Sequence, residues 1–164
     1  MKVRKAERAE IGRLARLWYD AWQDSHAEIV PVELPRLPTL ERLEARLQAL
    51  LPSVRVVERD GEPAGLCAID DDELYLLYVS AEARGSGVAA ALLADAETRL
   101  QRAGIEVAWL GCAIGNDRAV RFYEKGGWQR VGSMVKQLGT PDGDVPLDVW
   151  RYEKRLDPLP PRSA

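Results

Sequence analysis

The sequence predicts a mixed α/β (α+β) fold: one seven-stranded, mostly antiparallel sheet with a central parallel pair, flanked by four helices. Three observations predict it. Strand-like runs at residues 55–59, 63–70 and 73–79 follow one another through turn-forming residues, which makes them antiparallel neighbours. The third run passes through a glycine loop into a helix and then into another apolar strand, an order that leaves the two flanking strands parallel and joined by a right-handed crossover. Two further strand-like segments, at 129–138 and 147–156, close the sequence as a hairpin around the Pro-Asp-Gly turn at 140–144.

Taken in order, residues 2–5 form a short edge strand. Ile11, Leu14, Leu17, Trp18, Ala21 and Trp22 then recur at helical spacing opposite Arg13, Arg16, Asp20 and Gln23, which predicts an amphipathic helix of about 15 residues. Trp18 and Trp22 suit the core, and Trp22 is also open to a role as a ligand contact. Regularity is lost over residues 25–38, where Pro31, Pro35 and Pro38 exclude a continuous helix. Thr39 suits the N-cap of a second helix, whose Leu40, Leu43, Leu47 and Leu50 share one face until Pro52 stops it.

Asp60-Gly61 joins the first two strands of the meander, and the turn Asp70-Asp71-Asp72 joins the second to the third. The third strand, Glu73 to Val79, is apolar on both faces and therefore central. Strict alternation places Glu73, Tyr75, Leu77 and Val79 on one of those faces. After the glycine loop, Val88, Leu92, Leu93, Ala96 and Leu100 give the third helix its buried face, and Gly104 ends it. Residues 107–112 form the next strand, Asn116 or Asp117 caps a helix that runs to Lys125, and Gly126-Gly127 ends that helix. Residues 1–156 are expected to make a single domain and the proline-rich tail 157–164 to be disordered.

Composition narrows the function. A chain of 164 residues buries roughly two thirds of its unfolded surface and needs no staple. With 46% hydrophobic and 30% charged residues, a net charge of -3 and an isoelectric point near 5.3, it carries no basic field for nucleic acid. Cys67 and Cys112 sit inside apolar strands and are expected to be buried free thiols. One histidine makes no zinc cluster, so no metal is expected. The N-terminus has no apolar signal core and no segment approaches 18 apolar residues, so the expected location is cytoplasmic, with no membrane partner.

The chemistry concentrates at Arg84-Gly85-Ser86-Gly87-Val88-Ala89. Glycines allow a tight turn with inward N–H groups, and the helix start adds unpaired donors and about half a positive charge, so the loop suits a pyrophosphate. The same glycines satisfy a loose dinucleotide fingerprint, which would make the chain a Rossmann-type oxidoreductase. Against that, Ser80 to Arg84 intervene between strand and loop, and the strand that should end on a ribose-binding acid ends on Leu110-Gly111-Cys112. The Lys and Ser/Thr of a Walker loop are missing too.

Arg84-x-x-Gly87-x-Ala89 resembles the Q/R-x-x-G-x-G/A signature of the GCN5-related N-acetyltransferases (GNAT), with Val79 at the usual spacing before it. The run from Asn116 through Ala119, Phe122, Tyr123 and Gly126-Gly127 to Trp128 is similar to the family's second block, N-x-x-A-x-x-F/Y-Y-x-x-x-G-F/W. The resemblance implies a sheet whose central parallel strands splay after Val79 around acetyl-CoA (coenzyme A). Leu77, Tyr78 and Val79 would line the pantetheine arm and its acyl carbonyl, and the backbone of Arg84, Gly85, Ser86, Gly87, Val88 and Ala89 would hold the pyrophosphate. Splaying strips main-chain groups of their partners, at about 1 to 3 kcal/mol each, and the amides of pantetheine can replace them.

By the same resemblance Tyr123 corresponds to the general acid beside the sulfur; the alternative is a tyrosine packed on Phe122 with a wet hydroxyl. Asn116 is a helix cap or a contact to the cofactor arm. Glu73 is the first choice of base, since some family members carry a glutamate at this offset, unless it is a solvated hairpin end and His26 or water takes the proton. The loop between the first two helices overhangs the family's acceptor site, which makes His26, Trp22 and Tyr75 substrate candidates; His26 is otherwise exposed or capping. The Asp70 to Asp72 turn is solvated by default, though acids near the acceptor entrance would favour a cationic amine. The expected activity is acetyl transfer to a primary amine, small molecule or peptide, by direct attack in a ternary complex. Its alternative is an acyl-CoA-binding sensor without turnover, and a homodimer is compatible with the resemblance.

Overall fold

The computed structural model describes residues 1–26, 39–140, 143–157 and 159, with side chains at all of these except 138–140 and 143–145. Most of the expected loop at 25–38, the apex of the closing hairpin and most of the C-terminal tail lie outside them.

Seven strands form one sheet: β1 (Val3–Lys5), β2 (Val54–Arg59), β3 (Glu62–Asp70), β4 (Glu73–Val79), β5 (Val107–Ala113), β6 (Gln129–Thr140) and β7 (Gly143–Arg155). Their spatial order is β1-β2-β3-β4-β5-β7-β6, and only β4 and β5 are parallel. Helices α1 (Ile11–His26) and α2 (Leu40–Leu50) bury their apolar stripes on one face of the sheet, and α3 (Val88–Arg102) covers the other. A short α4 (Asp117–Lys125) follows β5. None of the described helices is long and apolar enough to cross a membrane.

The local signals are realised as their chemistry requires. Thr39 caps α2 by accepting from the Arg42 amide at 3.3 Å, and Asn116, not Asp117, caps α4 by accepting from the Ala119 amide at 3.3 Å. Asp60 and Gly61 both take positive φ, 53° and 79°, as a tight hairpin between right-twisted strands demands. Cys67 and Cys112 are buried and free. The arms of the β6–β7 hairpin are longer than the sequence suggested. They pair as far as Thr140 and Gly143, through Pro146, because beyond the β5 partner of Val149 the strand β7 pairs only with β6 and needs no second row of donors.

Two features set the positions of the helices. Arg4 grips the buried Glu10 carboxylate with two hydrogen bonds, at 2.7 and 2.8 Å, and also contacts Glu58, which ties β1, β2 and the entry to α1 together. The Arg4 guanidinium holds the Glu10 carboxyl below the usual carboxylate range. Gly65 lets α3 approach β3 closely: a Cβ there would stand 2.6 Å from Val88 Cγ1 and 2.9 Å from Leu92 Cδ1.

One element departs from the expected alternation. Ile69 pairs with Leu74 but Ala68 pairs with Leu76, so Tyr75 is an extra residue, a β-bulge that reverses the parity of β4. Leu77 and Val79 pack toward α3, whereas Tyr75, Leu76 and Tyr78 pack toward α1 and α2. Glu73 and Tyr75 therefore do not share a face with Leu77 and Val79.

Candidate active site

The parallel pair β4 and β5 meets at a single register position, Glu73 opposite Trp109, where the Trp109 amide donates to the Asp72 carbonyl at 3.1 Å. Beyond it the strands part. On its other edge β4 stays paired with β3 as far as Val79, and β5 stays paired with β7 as far as Ala113. The row of main-chain groups that β4 turns toward β5, from Leu76 to Val79, thus has no strand partner, just after the point where the bulge bends β4.

A cavity of about 320 Å³ occupies this opening. Its walls are Leu77, Tyr78 and Val79 of β4, the loop from Arg84 into the start of α3, and Asn116, Arg118, Phe122 and Tyr123 at α4. Gly85 and Gly87 have φ of 76° and 92°, which side chains adopt only under strain. The Ala91 amide makes the first bond of α3, to the Gly87 carbonyl, so the amides of Val88, Ala89 and Ala90 precede the helical ladder, and Gly87 brings no side-chain cap to them. A phosphate fits those donors. The Ser86 hydroxyl and amide both turn back onto the Ala83 carbonyl, the amide at 3.3 Å, and Ser86, expected among the pyrophosphate contacts, does not line the cavity. Arg84 bonds Asp24 of α1 at 3.1 Å, a tie between α1 and the glycine loop.

Tyr123 is buried against Trp128 and Phe122 and reaches the cavity wall. Burial, and then the neighbouring Cys112 and Tyr78, push its phenol above the ordinary value, so it holds its proton at neutral pH. Asn116 caps the helix through its Oδ1, and the residue also lines the cavity.

A second cavity, of about 570 Å³, lies on the α1–α2 face. Trp18, Trp22 and His26 form one side, Arg42 and Arg46 the α2 side, Tyr75 and Tyr78 the floor, and Lys136 the β6 side. Tyr78, on the part of β4 that has no partner in β5, borders both cavities. His26, expected to be exposed or capping if not functional, is buried at 5% exposure. Its ring stacks on Trp22, and since the Trp22 carbonyl can only accept, Nδ1 carries the hydrogen at 3.0 Å and Nε2 keeps its lone pair. Burial lowers its pKa to about 4, with the Trp22 hydrogen bond opposing. Trp22 is both core and cavity wall.

Two further residue groups that the sequence offered for the site line neither cavity. Glu73 is joined to Lys136 Nζ at 2.8 Å and lines neither cavity, whereas His26, the other candidate base, lines the second. In the acidic turn Asp70 and Asp71 are exposed, Asp72 accepts from the Trp109 indole at 3.0 Å, and none of the three lines either cavity. Arg118, Arg46 and Lys136 were not singled out from the sequence. Arg118 was legible only as a variable position of the second motif, and the other two owe their place to the packing of α2 and β6 beside Tyr75. No group of His, Cys, Asp and Glu among the described residues could hold a metal.

Comparison with known proteins gives a consistent picture. The sequence model of the Acetyltransferase (GNAT) family matches residues 14–128. No curated protein matches the chain. Among solved structures, an N-acetyltransferase from Staphylococcus aureus Mu50 is similar with a TM-score of 0.73 and 19% identity over 94% of this chain and 97% of its own. The paia N-acetyltransferase of Thermoplasma acidophilum in complex with coenzyme A gives 0.70 and 21% over 94% and 98%. The yncA protein of Salmonella typhimurium with its cofactor acetyl-CoA gives 0.71 and 22% over 99% and 98%.

Proposed function

The chain belongs to the Acetyltransferase (GNAT) family, and on that premise we propose that it moves an acetyl group from acetyl-CoA to a primary amine, with both substrates held together. One observation carries this reading: β4 and β5 pair only at Glu73 and Trp109, and the two cavities beyond that point share Tyr78. The Thermoplasma and Salmonella proteins of similar fold, solved with coenzyme A and acetyl-CoA, support the choice of donor. Bound acetyl-CoA supplies an acyl carbon activated as a thioester; the amine nitrogen forms the new C–N bond as the C–S bond breaks and the thiol leaves.

The chain's own residues bind, orient and move protons. The free β4 edge at Leu77 and Val79 would bond the amides of the arm, while the amides of Gly85 and of Gly87 to Ala90 would hold the pyrophosphate, flanked by Arg84 and Arg118. An ammonium loses two protons in becoming an amide. One returns to the departing sulfur through Tyr123, which burial keeps protonated; the other leaves by way of His26 Nε2 and water. Direct attack is supported by the thiols, since Cys67 and Cys112 line neither cavity and burial pushes them up to about 12 and about 11.

The test is turnover. With acetyl-CoA and a panel of amines, free thiol is expected, and Tyr123→Phe should lower kcat by roughly a hundredfold or more while the Kd for coenzyme A changes little. Acetyl-CoA binding with no thiol release from any amine would refute the transferase and leave an acyl-CoA-binding module.

A further inference from the structure

The charged side chains that line the second cavity, among the described residues, are of one sign. Among the described residues its lining includes three cations, Arg42, Arg46 and Lys136, and no carboxylate. Lys136 is neutralised by Glu73 at 2.8 Å. Arg46 is different: its Nε donates to the Tyr75 hydroxyl at 2.9 Å and its guanidinium lies 4.8 Å from the centre of the same ring. A phenol orients a guanidinium in two ways, by hydrogen bond and by ring face, but contributes no negative charge. Among the described residues Arg46 forms no ion pair: Tyr75 is its hydrogen-bond partner, Asp70 and Glu73 act on it only at longer range, and its remaining N–H groups form a planar fork suited to a carboxylate.

The opposite end of the cavity is the uncharged wall of Trp18, Trp22 and neutral His26, next to Tyr78 and the first cavity. An amine that enters beside Tyr78, where the two cavities adjoin, would therefore extend along aromatic rings toward a guanidinium that no described carboxylate pairs. Taking the proposed acetyl transfer as its basis, we infer that the acceptor is an amine that also bears a carboxylate, of the amino-acid type, whose carboxylate Arg46 receives. A polyamine would bring positive charge to a guanidinium that no described carboxylate pairs and would lose rather than gain by docking there.

Matched pairs test this: leucine against leucinamide, phenylalanine against phenylalaninamide, 4-aminobutyrate against 4-aminobutanamide, with putrescine as the dication. The carboxylate member of at least one pair is expected to exceed its amide in kcat/KM by roughly tenfold or more, and Arg46→Gln should bring that ratio close to one. Arg46 is exposed, so the variant should fold normally. Amides or putrescine used as well as the carboxylates, or a ratio untouched by Arg46→Gln, would overturn the inference. Calorimetry of the same pairs on the wild-type protein reads the anion site without turnover. Preferential carboxylate binding with no thiol release would support this inference while refuting acetyl transfer; equal binding within every pair, or none, would overturn the inference itself.

Discussion

His26 lies flat on Trp22 one helical turn before it, with ring centroids 4.4 Å apart and planes 8° apart, and donates to that residue's carbonyl at 3.0 Å. Stacking and burial hold the imidazole where a charge is costly, and its pKa falls to about 4 from the ordinary 6.5. Above the ordinary value the ring is neutral whether or not the chain is folded. As pH falls between the two values the unfolded chain takes up a proton that the folded one refuses, so stability declines, and the loss is complete below the folded value. The size is on the order of 3 kcal/mol. Denaturant melts between about pH 7 and pH 4 should show this slope, with a smaller one in His26→Gln; equal slopes would mean the ring is not buried neutral.

The same value bears on catalysis. A base works when unprotonated, so the enzyme's own acid limb in kcat/KM should fall near 4, not near 6.5. A limb near the ordinary histidine value, lost in His26→Gln, would show that the ring is solvated when substrate arrives.

Glu73 is engaged by Lys136, and the pair is partly solvated, at 12% and 29% side-chain exposure. Glu73→Gln should cost about 1 kcal/mol of stability and slow turnover less than about fivefold. A loss of roughly a hundredfold in kcat without loss of stability would restore Glu73 as the base.

Gly87 adopts φ of 92°, and an added Cβ would meet only Met1 Cε, at 3.9 Å. The penalty of Gly87→Ala is therefore backbone strain of about 1 to 2 kcal/mol at the loop that aims its amides. The KM for acetyl-CoA should rise about tenfold with kcat nearly unchanged; unchanged affinity in a folded variant would detach the glycine loop from phosphate binding.

Gly65→Ala tests how the loop is held from below. Its Cβ would sit 2.6 Å from Val88 Cγ1, at the first residue of α3, and 3.2 Å from the Tyr78 carbonyl. Overpacking should cost about 1 to 3 kcal/mol, seen as a lower Tm, and weaken acetyl-CoA binding through the displaced helix start. A variant as stable as the wild type would mean that α3 stands off the sheet further than described.

Much of this molecule was legible along the chain because its signals are local. Asp60-Gly61, Thr39, Asn116 and Gly87 act on backbone within a few residues of themselves, and each cap, turn or left-handed residue stands where its chemistry placed it. The apolar character of Glu73 to Val79 likewise marked the middle of the sheet, since a strand covered on both faces must be apolar on both.

What the sequence by itself determined is the order of elements, the seven-stranded sheet with its parallel pair, and the glycine loop facing a helix start, all properties of spacing and backbone preference. Only the tertiary structure decided which groups meet across the sheet. A single bulge at Tyr75, invisible in an alternating pattern, reverses which side chains face α1 and α2. Lys136 reaches Glu73 across 63 residues and Arg46 reaches Tyr75 across 29, pairings that depend on strand order and helix packing and that no local preference encodes.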